Sequence, residues 1–303
     1  MGHGFNSREG EIAMRKIIFL LTLIFCISSP SFALEKRVIS LGMLEKLNTT
    51  EESFSQEWQR SFAPHNELLE VRVKFYANLN ALQMALSAGE VKHIVLPEVT
   101  AEYLMNVNPE YESVLVLHSK GMGLAFGFRA DNEALRDKFN RAITRMRDDW
   151  TLSALEGMYL SRPGTNAPKP VEFAKFPGAG TIRAAVTGDL PPVDFMTDAG
   201  DAAGFSTAVL AEVGKQLGVN IELMNIESAA RSSALASGRA DVVFWYEVVK
   251  GAENQPDIPD GVIVSETYYD WEKFLHLRIN PDKGKSWSWN IFTRDFLDFY
   301  IHN

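Results

Sequence analysis

An α/β fold built from two similar lobes is what this sequence predicts, and three observations carry that prediction. Short apolar strand patterns alternate with amphipathic helical stretches along most of the chain, a rhythm that favours mostly parallel sheets covered on both faces. Residues 161–180 interrupt it: Pro163, Gly164, Pro168, Pro170, Pro177, Gly178 and Gly180 crowd into one stretch, which suits neither helix nor central strand and reads as a linker. Finally, the run from Ala81 to Gly89 (ALQMALSAG) lines up with the run from Ala230 to Gly238 (ARSSALASG), and an apolar strand follows each, at Ile94 to Leu96 and at Val242 to Phe244. The spacing is far too long for a solenoid. Turns from helix to strand favour Gly in any case, so the match fits either two related lobes or a common turn met twice.

Taken in order, residues 38–42 form a short β-branched run, and Thr49, Thr50, Glu51 and Glu52 supply a hydroxyl cap and first-turn acids for a helix. Val71, Val73 and Phe75 alternate as a strand does. Asn78 and Asn80 open a helix carrying Leu79, Leu82, Met84 and Leu86, which Gly89 stops as a left-handed cap. Residues 93–96 read as a buried strand, 100–105 as a helix, and 113–117 and 123–128 as two further strands. Two helices follow, through Leu135, Phe139, Ile143 and Met146 and through Leu152, Leu155 and Tyr159. Beyond the linker come a strand at 182–186, a helix at 207–217, a strand at 220–226, a helix at 228–236 and a buried strand at 241–246.

Composition narrows the function. The chain has 303 residues, 46% of them hydrophobic, enough for a sizeable core. Its net charge of −9, with no basic cluster, argues against nucleic acid as a partner, since phosphates need Lys and Arg. Residues 1–33 read as a signal peptide with its true start at Met14: Arg15 and Lys16 give the positive end, residues 17–27 a short apolar run, and Ser31-Phe32-Ala33 the cleavage spacing. Cys26, the single cysteine, lies inside that run, and Phe25 stands where a lipidation signal wants a small residue. The mature chain then has no disulfide, thiol nucleophile or cysteine metal site, and no later apolar stretch is long enough to span a membrane. The expectation is a soluble protein outside the cytoplasm, periplasmic or otherwise secreted.

The residues also resemble a known family. Residues 181–195 (TIRAAVTGDLPPVDF) with Pro191 and Pro192 after a strand, Gly204 and Phe205 opening the next helix, and Leu235-Ala-Ser-Gly-Arg-Ala-Asp241 before the third strand resemble the first lobe of extracellular solute-binding proteins of family 3, the amino-acid-binding type. Residues 81–104, the return strand at Gly121 to Arg129 and the helices at 132–159 resemble that family's second lobe, return strand and closing helices. Where the family has a glycine before the last helix, this chain has Trp150. Ser265 to Tyr269 and Phe274 to Leu277 look like the outgoing crossover strand. The resemblance implies a two-lobed type II periplasmic-binding-protein fold with hinge strands between the lobes, its lobes in circularly permuted order, or else two degenerate tandem copies. The expected divisions are a ligand-binding lobe at 34–129, closing helices at 130–160 packing on the other lobe, the linker, a second ligand-binding lobe at 181–279 and an aromatic tail at 280–303.

In open α/β sheets ligands sit beyond the carboxyl ends of strands. That rule gathers Asp189, Leu190, Asp194 and Phe195 from one loop, Arg231 from a helix start, and Trp245, Tyr246 and Glu247 from a strand end; Tyr76, Asn78, Glu98 and Thr100 hold comparable places in the other lobe. Arg231 could grip a carboxylate through a forked pair of hydrogen bonds or lie in solvent. Strand alternation puts Val243 and Trp245 on one face and Phe244 and Tyr246 on the other, and core burial alone would explain the aromatics. Glu98 could receive an amine or be solvated. The family's threonine and arginine after the third strand are replaced by Glu247-Val-Val-Lys-Gly251, and its amine-binding aspartate is lost near Pro97 and Glu98, which puts amino-acid specificity in doubt. The resemblance implies a monomer that closes on a small polar ligand for uptake through an ABC-type membrane permease, with no cofactor, metal or catalysis. Two alternatives stay open: a periplasmic dehydratase-like enzyme using Asp194, Glu247 or Glu98, and a ligand-sensing module.

Overall fold

The computed structural model describes residues 37–62, 68–165, 170–197 and 199–281. The expected signal peptide, Cys26 and all of the aromatic tail beyond Pro281 lie outside the described residues.

The first strands, β1 (Arg37–Leu44) and β2 (Leu69–Tyr76), pair in parallel, and β3 (His93–Pro97) joins the other side of β1. Parallel neighbours need crossovers, here α1 (Glu51–Phe62) and α2 (Leu79–Ser87). The first turn of α1 is held by Thr50, whose hydroxyl accepts the Ser53 N–H at 3.2 Å. Asn78 caps α2 by accepting the Ala81 N–H at 2.9 Å. Leu79, Leu82, Ala85 and Leu86 form its buried stripe, each large side chain worth about 1.5–3 kcal/mol of burial. The opposite face of the sheet packs Leu41, Met43, Val71, Val73 and Val95 against Phe54 and Trp58 of α1. After α3 (Glu98–Val107) the chain enters β4 (Tyr111–Arg129). The sequence predicts two strands in that stretch and the structure has one, because β12 pairs on both sides of Gly121 and the β10 ladder reaches it: Lys250 donates its N–H to the Gly121 carbonyl at 2.6 Å.

Two helices, α4 (Glu133–Asp148) and α5 (Thr151–Tyr159), leave β4 and pack on α6 (Phe205–Leu217). Trp150 between them adopts the left-handed conformation, φ 66°, so the turn keeps the backbone that a glycine would supply. The linker is tied down at its far end: Val171 donates to the Ala202 carbonyl at 3.1 Å, and the Asn220 amide holds the carbonyls of Phe176 and Ala179. Then come β5 (Thr181–Val186), a small antiparallel ribbon of β6 (Asp189–Leu190), β7 (Asp194–Met196) and β8 (Ala202–Ala203), then α6, β9 (Asn220–Asn225), a single 3₁₀ turn at 228–230 and α7 (Arg231–Ala236). The chain continues through β10 (Val242–Val249) and β11 (Val262–Val264) to β12 (Tyr269–Ile279).

The main sheet runs β2-β1-β3-β12-β4-β10-β5-β9, with β11 beside β4. It is two sheets sharing the long strand β4. In one lobe the order is second, first, third, crossover and fourth strand (β2-β1-β3-β12-β4); in the other the same order recurs as β9-β5-β10-β4-β11. Strand β4 pairs in both lobes, with β10 and β11 in one and antiparallel with β12 in the other. Strands β4 and β12 touch closely at Gly123, where a Cβ would lie 2.7 Å from the Tyr269 carbonyl oxygen and collide with Asp270, so only glycine fits. The internal sequence match falls at equivalent places: α2 and α7 each join the second strand of a lobe to its third, and each ends at a left-handed glycine, Gly89 (φ 72°) and Gly238 (φ 68°).

One sequence expectation is corrected. Simple alternation along β10 fails, because the ladder with β4 shifts register between Val243 and Tyr246 and Trp245 has φ 22°. This bulge turns Trp245 to the face that also buries Phe244, and Tyr246 to the face of Val243.

Candidate functional site: the seam between the lobes

The carboxyl ends of β1 and β10 come from different lobes, yet they meet. Lys46, two residues past β1, pairs with Glu247 of β10 at 2.6 Å, with both side chains almost wholly buried. The backbone seals the same seam: the Asn48 N–H donates to the Pro256 carbonyl at 2.7 Å, and the Asn48 amide donates to the Gln255 carbonyl at 2.9 Å. Asp257 accepts the Leu47 N–H from the first lobe and the Glu247 N–H from its own. Farther along the seam, α2 lies against β6, and Phe195 of β7 meets Tyr103 of α3 edge-on at 6.1 Å.

Behind Glu247, Arg231 organises the second lobe's strand ends. It is fully buried, and its guanidinium grips the Asp257 carboxylate through two bonds, at 2.9 and 3.1 Å, while donating to the carbonyls of Trp245 (2.6 Å) and Ser228 (3.1 Å). Burial alone would lower its pKa, but the Asp257 charge beside it outweighs that and holds it above its ordinary value. The cation lies 4.4 Å from the Trp245 ring centre and 4.8 Å from that of Tyr246. The forked carboxylate grip anticipated for Arg231 is therefore made to the chain's own Asp257. The bulge at Trp245 presents its carbonyl to this arginine and its indole N–H to the Thr187 hydroxyl at 3.2 Å.

Thr187 in turn donates to Asp194 through both its N–H (3.0 Å) and its hydroxyl (2.7 Å). Asp194 is fully buried, and burial pushes its carboxyl up to about 6 against the pull of those hydrogen bonds. It fastens the β5–β6 turn. Asp189 is half-buried: one carboxylate oxygen accepts the Ser228 hydroxyl at 3.0 Å, and the other is enclosed without a partner among the described residues. Leu190 is packed in the core that runs between the lobes.

The first lobe's residues are more dispersed. The Tyr76 hydroxyl turns back to Glu90, away from the strand ends; burial and that carboxylate push it up to about 12. Asn78 spends its side chain on the α2 cap. Glu98 pairs with Lys273 at 2.9 Å, half-exposed beside the hinge. Thr100 is wholly buried, and its hydroxyl has no partner among the described residues. The structure thus gathers Asp189, Asp194, Arg231, Trp245, Tyr246 and Glu247 at one lobe's strand ends and brings Leu190, Phe195 and Glu247 to the other lobe. Sequence reasoning missed Lys46, Tyr103, Thr187 and Asp257. Lys46 was within reach of the strand-end rule; Asp257 lies in a loop with no pattern to mark it.

Residues 182–247, the heart of this second lobe, match the model of bacterial extracellular solute-binding proteins, family 3. No curated protein matches the chain. Among solved structures, the chain is similar to the ligand-binding component of an ABC-type import system from Staphylococcus aureus, with 12% identity over 88% of this chain and 71% of that one and a TM-score of 0.44. It is also similar to the periplasmic aliphatic sulphonate binding protein SsuA from Escherichia coli (9% identity, 88% and 72% covered, TM-score 0.39). A third is a pheromone cOB1 precursor/lipoprotein of the YaeC family from Enterococcus faecalis (10% identity, 86% and 91% covered, TM-score 0.43). Likenesses this loose carry no information about a ligand.

Proposed function

We propose that this protein is an extracytoplasmic solute-binding protein that captures a small polar ligand between its lobes, without chemistry, and presents it to an ABC-type membrane permease. The observation that carries the reading is the seam itself: two lobes of one strand order, joined by two antiparallel strands, close with their strand ends face to face. Two strands that bend together form a hinge, and a ligand bound better by the closed state shifts the population toward it. The charges at the seam suit a zwitterion, an amino acid or a related compound. Lys46 would receive the carboxylate and Asp189 with Glu247 the amine, the ligand exchanging with the Lys46–Glu247 pair; Arg231 and Asp194 act as positioning residues behind them.

The lobe order is read as a circular permutation of the family's. The matched segment lies in the later half of this chain, where the family resemblance would have it first. Arg37 at the start of β1 and Ile279 at the end of β12 lie at the same end of one sheet, so a chain opened there and closed by the linker costs the fold little. Because both lobes have the same strand order, such a rotation leaves the topology unchanged.

A thermal-shift screen of amino acids, short peptides and organic acids tests the function. A true ligand at a hundredfold excess over its Kd adds about 2.7 kcal/mol of stability, and its effect should vanish in Lys46→Met and fall in Asp189→Asn. Small-angle scattering should show the chain contracting with the same ligand. A ligand that stabilises all three proteins equally would remove the seam as its site.

A further inference from the structure

A cavity of about 240 Å³ adjoins the Lys46–Glu247 pair, and both residues line it. The rest of its wall is mostly apolar: Met43 from β1, Phe54 and Trp58 from α1, Leu117 and Met122 from β4, and Phe274 from β12. The cavity therefore spans the seam, since Glu247 belongs to the second lobe while Met43, Phe54 and Trp58 belong to the first. Of the other polar residues that reach it, Asp257 is held by Arg231, and Glu57 and His118 are exposed.

Protein interiors leave few voids larger than a water molecule. Here Phe54, Trp58, Leu117, Met122 and Phe274 stand around such a space and stay only half-buried. The aromatic wall is held from behind by rings that do not line the cavity: Phe54 packs on Phe75 at 5.5 Å and Trp58 on His276 at 5.9 Å between ring centres. A mostly apolar pocket with a few polar groups at one place is the ordinary anatomy of a small-molecule site. At about 240 Å³ it falls just under the range of about 300–1,000 Å³ that holds drug-sized ligands, which suits a single small metabolite.

Charge decides the head group. Lys46 and Glu247 neutralise each other at 2.6 Å, with both side chains almost wholly buried. An occupant with a single charge would take one partner and strand the other in a dry site, which is costly. One that carries an ammonium and a carboxylate on the same carbon replaces the pair without stranding either.

We propose that the ligand is an α-amino acid with a large apolar side chain, seated with that side chain in this cavity. The inference rests on the seam reading above, in which Lys46 takes the carboxylate and Glu247 the amine, and it adds what the rest of the ligand must be. The side chain displaces water from Phe54, Trp58 and Phe274, where an aromatic ring finds edge and face partners. Met43 and Met122, unbranched and polarizable, adapt to its outline. Serine would leave these walls facing water, and glutamine would bury an amide among apolar groups.

Isothermal titration of the full chain with L-phenylalanine, L-methionine, L-serine and L-glutamine tests this. The controls are 3-phenylpropanoate and phenethylamine, which keep the ring and one charge each. Phenylalanine or methionine should bind saturably and at least tenfold more tightly than serine or glutamine. Each single-charge control should bind at least tenfold more weakly than phenylalanine. Met122→Gln, close in size but polar, should weaken the apolar amino acids about tenfold. Phe54→Leu, which keeps α1 apolar, should weaken phenylalanine severalfold and methionine less. The two variants lie on different elements, and melting curves without ligand check that each folds. Serine or glutamine bound as tightly as phenylalanine, with that binding lost in Lys46→Met, would overturn this inference and leave the seam reading standing. So would a phenylalanine preference indifferent to both variants, or a single-charge control bound as tightly as phenylalanine. No amino acid bound at tens of millimolar would overturn the seam reading and this inference together.

Discussion

The two lobes share one strand order but manage buried ionisable groups in opposite ways. In the lobe of β5 and β10, Arg231 is sealed from water together with its counter-charge and is held by four hydrogen bonds: two to Asp257 and one each to the carbonyls of Trp245 and Ser228. In the lobe of β1 and β3, His93 and His276 lie side by side, ring centres 6.4 Å apart, with Trp58 on the far side of His276. Among the described residues no carboxylate answers them. Both ring nitrogens of His276 and Nδ1 of His93 are buried without partners among the described residues. Topology fixes where strands go; whether an interior tolerates charge is decided by the few side chains that fill it.

The largest effect should come from breaking the compensated cluster. Removing one partner of a buried pair strands the other charge, so Arg231→Ala should cost about 3–5 kcal/mol of unfolding free energy. Adding Asp257→Ala to it should restore part of the loss. Denaturant titration of the single and double variants measures both; a single-variant loss below about 1 kcal/mol would mean that the cluster is not what holds these strand ends.

The uncompensated lobe should yield to acid instead. Burial, with His93 adding to it, lowers His276 to about 3; burial and then Arg278 lower His93 to about 4. Both folded values lie below the ordinary histidine value of about 6.5, so the unfolded chain takes up protons first. Stability is therefore intact above pH 6.5 and declines as pH falls toward 4, by roughly 6 kcal/mol for the pair, about 3 from each ring. His276→Phe should flatten that decline while Arg231→Ala leaves its slope unchanged. Urea midpoints at pH 7, 5.5 and 4.5 separate the two behaviours, and an equal slope in His276→Phe would clear the histidines of responsibility.

Much of this was legible in the sequence because it repeats locally. The helix stripe of Leu79, Leu82 and Leu86, the caps at Thr50 and Asn78, and the glycine stops at Gly89 and Gly238 are decided within a few residues, and all appear where the pattern put them. Other features depend on distant partners. The continuity of β4 comes from β10 and β12, which lie more than a hundred residues on, and the bulge at Trp245 exists to feed Arg231. Asp257 gains its importance only when Arg231, Leu47 and Glu247 converge on it. The strand-end rule named residues that do lie together at one lobe's strand ends, but it could not foresee that Arg231 would already have its carboxylate.

The smallest predicted effects come from the helix ends, where corresponding turns use different residues for one backbone shape. Gly89 and Gly238 stop equivalent helices in the left-handed region, and Trp150 takes the same region between α4 and α5 without being glycine. At Gly238 a Cβ would meet nothing nearer than the Arg129 guanidinium at 3.5 Å, so Gly238→Ala isolates the backbone cost, about 1 kcal/mol. Trp150 is 75% exposed and loses little packing when truncated. Trp150→Gly should therefore relieve strain but add freedom to the unfolded chain, a net gain of about 0.5 kcal/mol. Melting temperatures of the two variants should move in opposite directions. A fall in both would mean that the Trp150 side chain contributes packing that its exposure conceals, and that the two turns are alike in shape but not in what holds them.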